Sequence, residues 1–235
     1  MAPTNTPITV HALALGGKFI GDAVNYAKVE ISGAKGVLAH GLADQGQVAG
    51  TDGSGITALI MGQPYPWGYP VRSEQAVGFS ATLLLSAPEV LKFTVTSKAD
   101  PRISTSVSRL VVPGVPLTGA ASVVVVLQGL LAELTAPTAS TAITAGVATP
   151  IAATIRMMCG CHIDNLFWPA ANFTVTAVIS GNGKVESVPL SYSGTPSVFS
   201  ADFAFPAAGS YEITLKAAEI NGNLGSAPPV GVTVS

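Results

Sequence analysis

Met157-Met158-Cys159-Gly160-Cys161-His162 is the stretch of this chain with the most chemistry in its side chains. It holds both cysteines, two of the four methionines and one of the three histidines. Thiolate and thioether sulfurs beside an imidazole suit Cu(I), so Cys159, Cys161, His162, Met157 and Met158 form a candidate soft-metal set. On an extended chain residues i and i+2 share a face, which would bring Cys159, Cys161 and Met157 to one side. Gly160 permits a bend that would swing His162 and Asp164 toward them. Two other readings stay open. Buried cysteine and methionine also serve as ordinary core hydrophobes, and a Cys159–Cys161 disulfide would close a very small, strained ring. Zinc is disfavoured, because a structural site usually needs four ligands and no second cysteine pair exists.

Other side chains carry weaker signals. Gln63 to Gln75 reads QPYPWGYPVRSEQ, where Tyr65, Trp67 and Tyr69 alternate with prolines. Rigid aromatics of this kind make contact surfaces at low entropic cost, so these three and Trp168 are binding-surface candidates. The plainer reading is a crossover packed down by its own rings. His11 and His40 each stand alone in an expected strand. His162 and Asp164 flank Ile163 in an expected loop, without a G-x-S-x-G, phosphate-loop or H-E-x-x-H pattern. Asn172-Phe173-Thr174 is a glycosylation sequon, with meaning only in a eukaryotic secretory setting.

The elements that must position these groups are strands. Ala27 to Ser32 (AKVEIS), Val77 to Ser86, Val90 to Ser97 and Phe173 to Ser180 alternate apolar and polar residues. Gly181-Asn182-Gly183 and Asn221-Gly222-Asn223 are hairpin turns, since they supply residues tolerant of positive φ. Short strands with Gly/Pro punctuation and no long 3.6-period stripe argue for an all-β fold. Two tandem β-sandwich domains are expected, over 1–127 and 128–235.

Composition narrows the functional classes. Of 235 residues, 48% are hydrophobic and only 10% charged, against ~25% charged in average soluble domains. A formal net charge of −2 leaves no basic footprint for nucleic acid. The longest apolar run, Val123 to Leu134, falls short of the ~20 residues of a spanning helix. Met1 to Pro7 lacks a charged and an apolar segment, so no signal peptide is expected in this stretch, whether it is a trimmed mature N-terminus or a short cytoplasmic arm. Low charge fits extracytoplasmic (periplasmic, secreted or surface-displayed) proteins and subunits of assemblies, whose interface cores are depleted in charge.

Two resemblances follow from particular residues. Gly21-Asp22-Ala23-Val24 and the turn Thr51-Asp52-Gly53-Ser54-Gly55 resemble the carboxypeptidase-regulatory or transthyretin-like sandwich, over about residues 8–62. That resemblance implies a structural or binding module with no catalytic residues to carry over. Gly209-Ser210-Tyr211 before an alternating strand looks like the tyrosine corner of immunoglobulin-like sandwiches, over about residues 130–235. It implies a buried Tyr211 whose hydroxyl bonds backbone a few residues upstream. Phe173, Val175, Ala177 and Ile179 would then face inward, with Tyr211, Ile213 and Leu215 inward on the partnering sheet. Both cysteines lie at one strand end, which removes the antibody-type subclass with its inter-sheet Cys pair. The expected function is a non-enzymatic binding or assembly protein, a homo-oligomer without a catalytic residue or cofactor; the alternative is a periplasmic copper-binding protein.

Overall fold

The computed structural model describes residues 2–17, 20, 27–43, 78–164 and 168–235. These residues are strands joined by turns, with two three-residue 3-10 turns, Gly119–Ala121 and Ala170–Asn172, among them. The motif residues 21–24 and 51–55 lie outside the described residues, as do Tyr65, Trp67 and Tyr69. The chain divides into two compact units, Met1–Gln128 with Met158–Gly160, and Gly129–Met157 with Cys161–Ser235. No helix among the described residues is long and apolar enough to cross a membrane.

The first unit contains β1 (Thr4–Ala14), β2 (Ala27–Gly33), β3 (Gly36–Leu42), β4 (Gly78–Leu85), β5 (Glu89–Ser97), β6 (Ser104–Val111) and β7 (Val123–Leu127). One sheet has the order β4-β1-β7, with β1 antiparallel to β4 and parallel to β7. The other runs β3-β2-β5-β6, all antiparallel. Alternation decides which side chains meet between them. Val29 and Ile31 of β2 and Leu91, Phe93 and Val95 of β5 are almost fully buried, while Lys28, Glu30, Val90 and Lys92 face outward. The β5–β6 turn is tied by Asp100, whose carboxylate accepts hydrogen bonds from the Arg102 backbone N–H and guanidinium. Those bonds hold its carboxyl below the usual carboxylate range.

The second unit contains β8 (Leu130–Ala136), β9 (Ala148–Met157), β10 (Phe173–Gly181), β11 (Lys184–Tyr192), β12 (Val198–Ala204), β13 (Gly209–Glu219), β14 (Leu224–Ser226) and β15 (Val230–Val234). β8, β9 and β12 form one layer, and β14/β15, β13, β10 and β11 the other. β11 passes between layers: residues from Lys184 to Leu190 pair with β10, whereas Ser191 and Tyr192 pair with β12. Beyond β8, Ile143 forms a parallel bridge to Val234 of β15. The unit's first strand, β8, therefore lies on one layer and its continuation at Ile143 on the other. This order, with pairing of β9 to β12 and of β13 to β10 and β15, is that of an immunoglobulin-like sandwich.

Tyr211 is buried, and its hydroxyl donates to the Ala207 carbonyl four residues upstream at 2.9 Å. The same oxygen accepts a bond from Asn182 Nδ2, also at 2.9 Å. The ring stands edge-on to Phe205, with centroids 5.0 Å apart. It also lies over Gly181, its direct partner in the β10–β13 ladder, where no side chain would fit. Asn182 and Gly183 turn the hairpin at φ 50° and 72°, so the corner and the hairpin turn are one structure. Phe173, Val175, Ala177 and Ile179 share the inward face with Tyr211, Ile213 and Leu215. One expectation needs correction: these two sets belong to neighbouring strands of one sheet, in register Ala177 to Leu215 and Ile179 to Ile213. The 3-10 turn and loop before β10 bring it beside β13, so the opposing layer is supplied by Ile151, Ala153, Ile155 and Phe199.

Tyr211→Phe is expected to lower the second unit's stability by about 1 kcal/mol, since the Ala207 carbonyl is near water and regains a partner there. Gly181→Ala should cost more, because its methyl meets the Tyr211 ring. Calorimetry should show both losses in one transition, with the first unit's transition unmoved; equal losses in both transitions would contradict this.

Candidate functional site

The Met-Met-Cys-Gly-Cys-His stretch sits where β9 ends. Met157 is the last inward residue of the series Ile151, Ala153, Ile155, Met157, each fully buried. Its place in that period-two series makes it core by position. The extended arrangement expected for the cysteines does not form. Residues 158–160 turn, Gly160 adopts φ 76°, and the Met157 N–H bonds the Cys161 carbonyl at 3.1 Å. Arg156 and His162 then face each other as an isolated antiparallel bridge. A glycine at Gly160 makes this turn cheap, which is why the chain reverses here rather than running on.

The turn separates the five side chains by exposure. Met157, Met158 and Cys159 are at most 1% exposed, whereas Cys161 is half-buried and His162 exposed. Cys159 packs in the first unit against Gly17, where an added methyl would come within 3.1 Å of its Sγ. Both cysteines are thiols, not a disulfide. Among the described residues no group of three or more His, Cys, Asp or Glu side chains converges as a metal site.

Ser197, which no sequence pattern singled out, anchors the returning loop. It is 1% exposed and adopts φ 68°, a left-handed conformation that costs a non-glycine residue energy. Its N–H bonds the Ile163 carbonyl at 2.7 Å, its Oγ accepts the Ile163 N–H at 3.0 Å, and its carbonyl takes the Ile155 N–H at 2.9 Å. His162 Nδ1 lies 3.4 Å from the same Oγ, a contact at the outer limit of hydrogen bonding. A serine and a histidine thus meet, but the hydroxyl is committed to backbone and shielded from any substrate carbonyl. The pair fastens the loop. The only sequence hint was the turn signal Gly194-Thr195-Pro196 just before it.

Trp168 was expected to present its ring as part of a binding surface. It is 9% exposed, and its carbonyl accepts the Asp164 N–H at 3.0 Å. The indole is core, because its large apolar area gains more from burial than from a place on the surface. His11 is 3% exposed beside Gly78 of β4, and His40 faces solvent on β3.

These features define an all-β protein of two tandem sandwiches, the second immunoglobulin-like. No protein-family model matches the chain, and no curated protein matches it in sequence. Solved structures resemble it distantly. The fibronectin(III)-like modules of Clostridium thermocellum CbhA are 13% identical over 98% of this chain and 92% of that one, with a TM-score of 0.31. BcpA, the major pilin subunit of Bacillus cereus, is 8% identical over 99% of this chain and 70% of that one, with a TM-score of 0.33. The tetra-tandem repeat in the extending region of a large adhesion protein is 12% identical at a TM-score of 0.31, and this chain spans 50% of it. Such scores carry no functional argument; the fold rests on the strand order and the tyrosine corner.

Because only Cys161 reaches solvent, a thiol reagent such as DTNB should modify one cysteine rapidly in the native protein. Cys159 should react only on unfolding. Cys161→Ser removing the slow phase, and leaving the fast one, would overturn this assignment.

Proposed function

We propose that this chain is a non-enzymatic, extracytoplasmic module that works by assembly with other subunits through its sheet surfaces. The observation that carries this reading is an apolar pair on the outer face of the β3-β2-β5-β6 sheet. Val90 and Leu110 are direct cross-strand partners and are 61% and 63% exposed. Val112 and Val115 follow along the same chain end, also exposed. Valine and leucine directly opposed on a solvent face form one apolar surface, of the kind that marks interaction sites. A composition poor in charge supports the same reading, as does a chain whose described residues are spent on two sandwiches. We further read the first unit as a transthyretin-like or carboxypeptidase-regulatory-like sandwich; the seven strands among its described residues, in sheets of three and four, support this.

Light scattering and native mass spectrometry at micromolar concentration test the assembly reading. The protein should populate a dimer or larger species. Val90→Lys combined with Leu110→Glu should weaken self-association at least about tenfold without shifting thermal unfolding, since both residues are exposed. A clean monomer, or association indifferent to the double substitution, would remove it.

The copper reading is kept in a reduced form, favoured by the solvent exposure of His162 and the partial exposure of Cys161 at the β9 turn. It expects about one Cu(I) per chain, held by a thiolate and an imidazole. In a chelator competition, Cys161→Ser should abolish that binding; uptake no higher than the variant's would end this reading.

A further inference from the structure

The outer face of the four-stranded sheet also holds a cleft at the end away from Val90 and Leu110. Lys28 and Glu30 of β2, His40 and Leu42 of β3, and Thr94 and Thr96 of β5 line a hollow of about 490 Å³. Strand register builds it from two rows, Leu42–Lys28–Thr96 and His40–Glu30–Thr94. Period-two alternation turns all six side chains away from the core formed by Val29, Ile31, Phe93 and Val95. The volume falls within the ~300–1,000 Å³ range of small-molecule sites.

The chemistry of the lining is mixed in sign and rich in hydrogen-bonding capacity. Lysine offers only donors, glutamate only acceptors, and neutral histidine and threonine one or more of each. Among the described residues, Lys28, Glu30, His40 and Thr94 make no side-chain hydrogen bond or ion pair, while Thr96 Oγ1 is bonded to Ser104 Oγ at 2.8 Å. The chain has only 24 Asp, Glu, Lys and Arg residues (11 + 13) and three histidines in 235. Two of the former and one of the latter meet on this single tile.

The paired charges of Lys28 and Glu30 disfavour a ligand of a single charge sign. An anion drawn to Lys28 meets the Glu30 carboxylate, and a cation drawn to Glu30 meets the Lys28 ammonium. A neutral polyol suffers neither repulsion. Each of its hydroxyls both donates and accepts, and its C–H face can rest on Leu42. We infer that this cleft is a binding site for a neutral oligosaccharide. It is independent of the assembly reading and stands or falls without it.

The test is an NMR titration of the isotope-labelled full chain with cellohexaose, xylohexaose, maltohexaose and chitohexaose, each to about 10 mM. At least one should shift the backbone amides of residues 28–30, 41–42 and 94–96. Its affinity should change less than about twofold between low and high salt, as expected for an uncharged ligand. Glu30→Gln and Lys28→Met should each weaken it about tenfold or more while leaving thermal unfolding unmoved, because both side chains are exposed. No shift with any of the four sugars overturns the inference. Shifts confined to other residues overturn it too, as does preferential, salt-sensitive binding of oligogalacturonate.

Discussion

Most of the described strands have one dry and one wet face, β2, β5, β9, β10 and β13 most clearly. The alternation acts before any specific contact. It sends Val29, Ile31, Leu91, Phe93 and Val95 into the first core and Val175, Ala177, Ile179, Ile213 and Leu215 into the second. It also decides the fate of the reactive side chains. Met157 falls on the inward parity of β9 and becomes filling, whereas Lys28, Glu30 and His40 fall on the outward parity and remain available. A shift of one residue in register would exchange these roles.

What secures the register in the second unit is the corner at Tyr211. Its ring covers Gly181 at the end of β10, its hydroxyl ties Ala207, and Asn182 reaches the same oxygen from the hairpin turn. Two strands and two turns are thereby pinned by one side chain. Near the other end of β13, Asn223 plays a comparable part. Its Oδ1 accepts the Gly129 N–H and its Nδ2 bonds Glu219, so the chain's entry into the unit is held by the β13–β14 turn. Both tethers join segments far apart in sequence, as a sandwich of non-local pairings requires.

Much of this was legible in the sequence, for physical reasons. AKVEIS and FTVTAVIS announce their strands by period, and Gly181-Asn182-Gly183 and Gly209-Ser210-Tyr211 announce turn and corner by residue type. β14 was not foreseen: Leu224-Gly225-Ser226 is too short to show a period, and Pro228-Pro229 beyond it reads as loop. The outward cleft was illegible because it exists only once β2 is registered against β3 and β5, which places His40 opposite Glu30. In the cysteine stretch the bend at Gly160 was legible, but the same-face placement of Cys159 and Cys161 was not, because the chain reverses fully there. Ser197, buried in a left-handed conformation, follows a proline turn that any surface loop might carry.

The proposed assembly role places the working surface on the outer face of the β3-β2-β5-β6 sheet, at Val90 and Leu110. Hydrogen–deuterium exchange, compared between dilute and concentrated protein, tests that claim most directly. Protection should rise with concentration in the amides around Val90 and residues 110–115, and stay constant across residues 157–163. Exchange that is independent of concentration on β5 and β6, or protection gained at the cysteine turn instead, would contradict it.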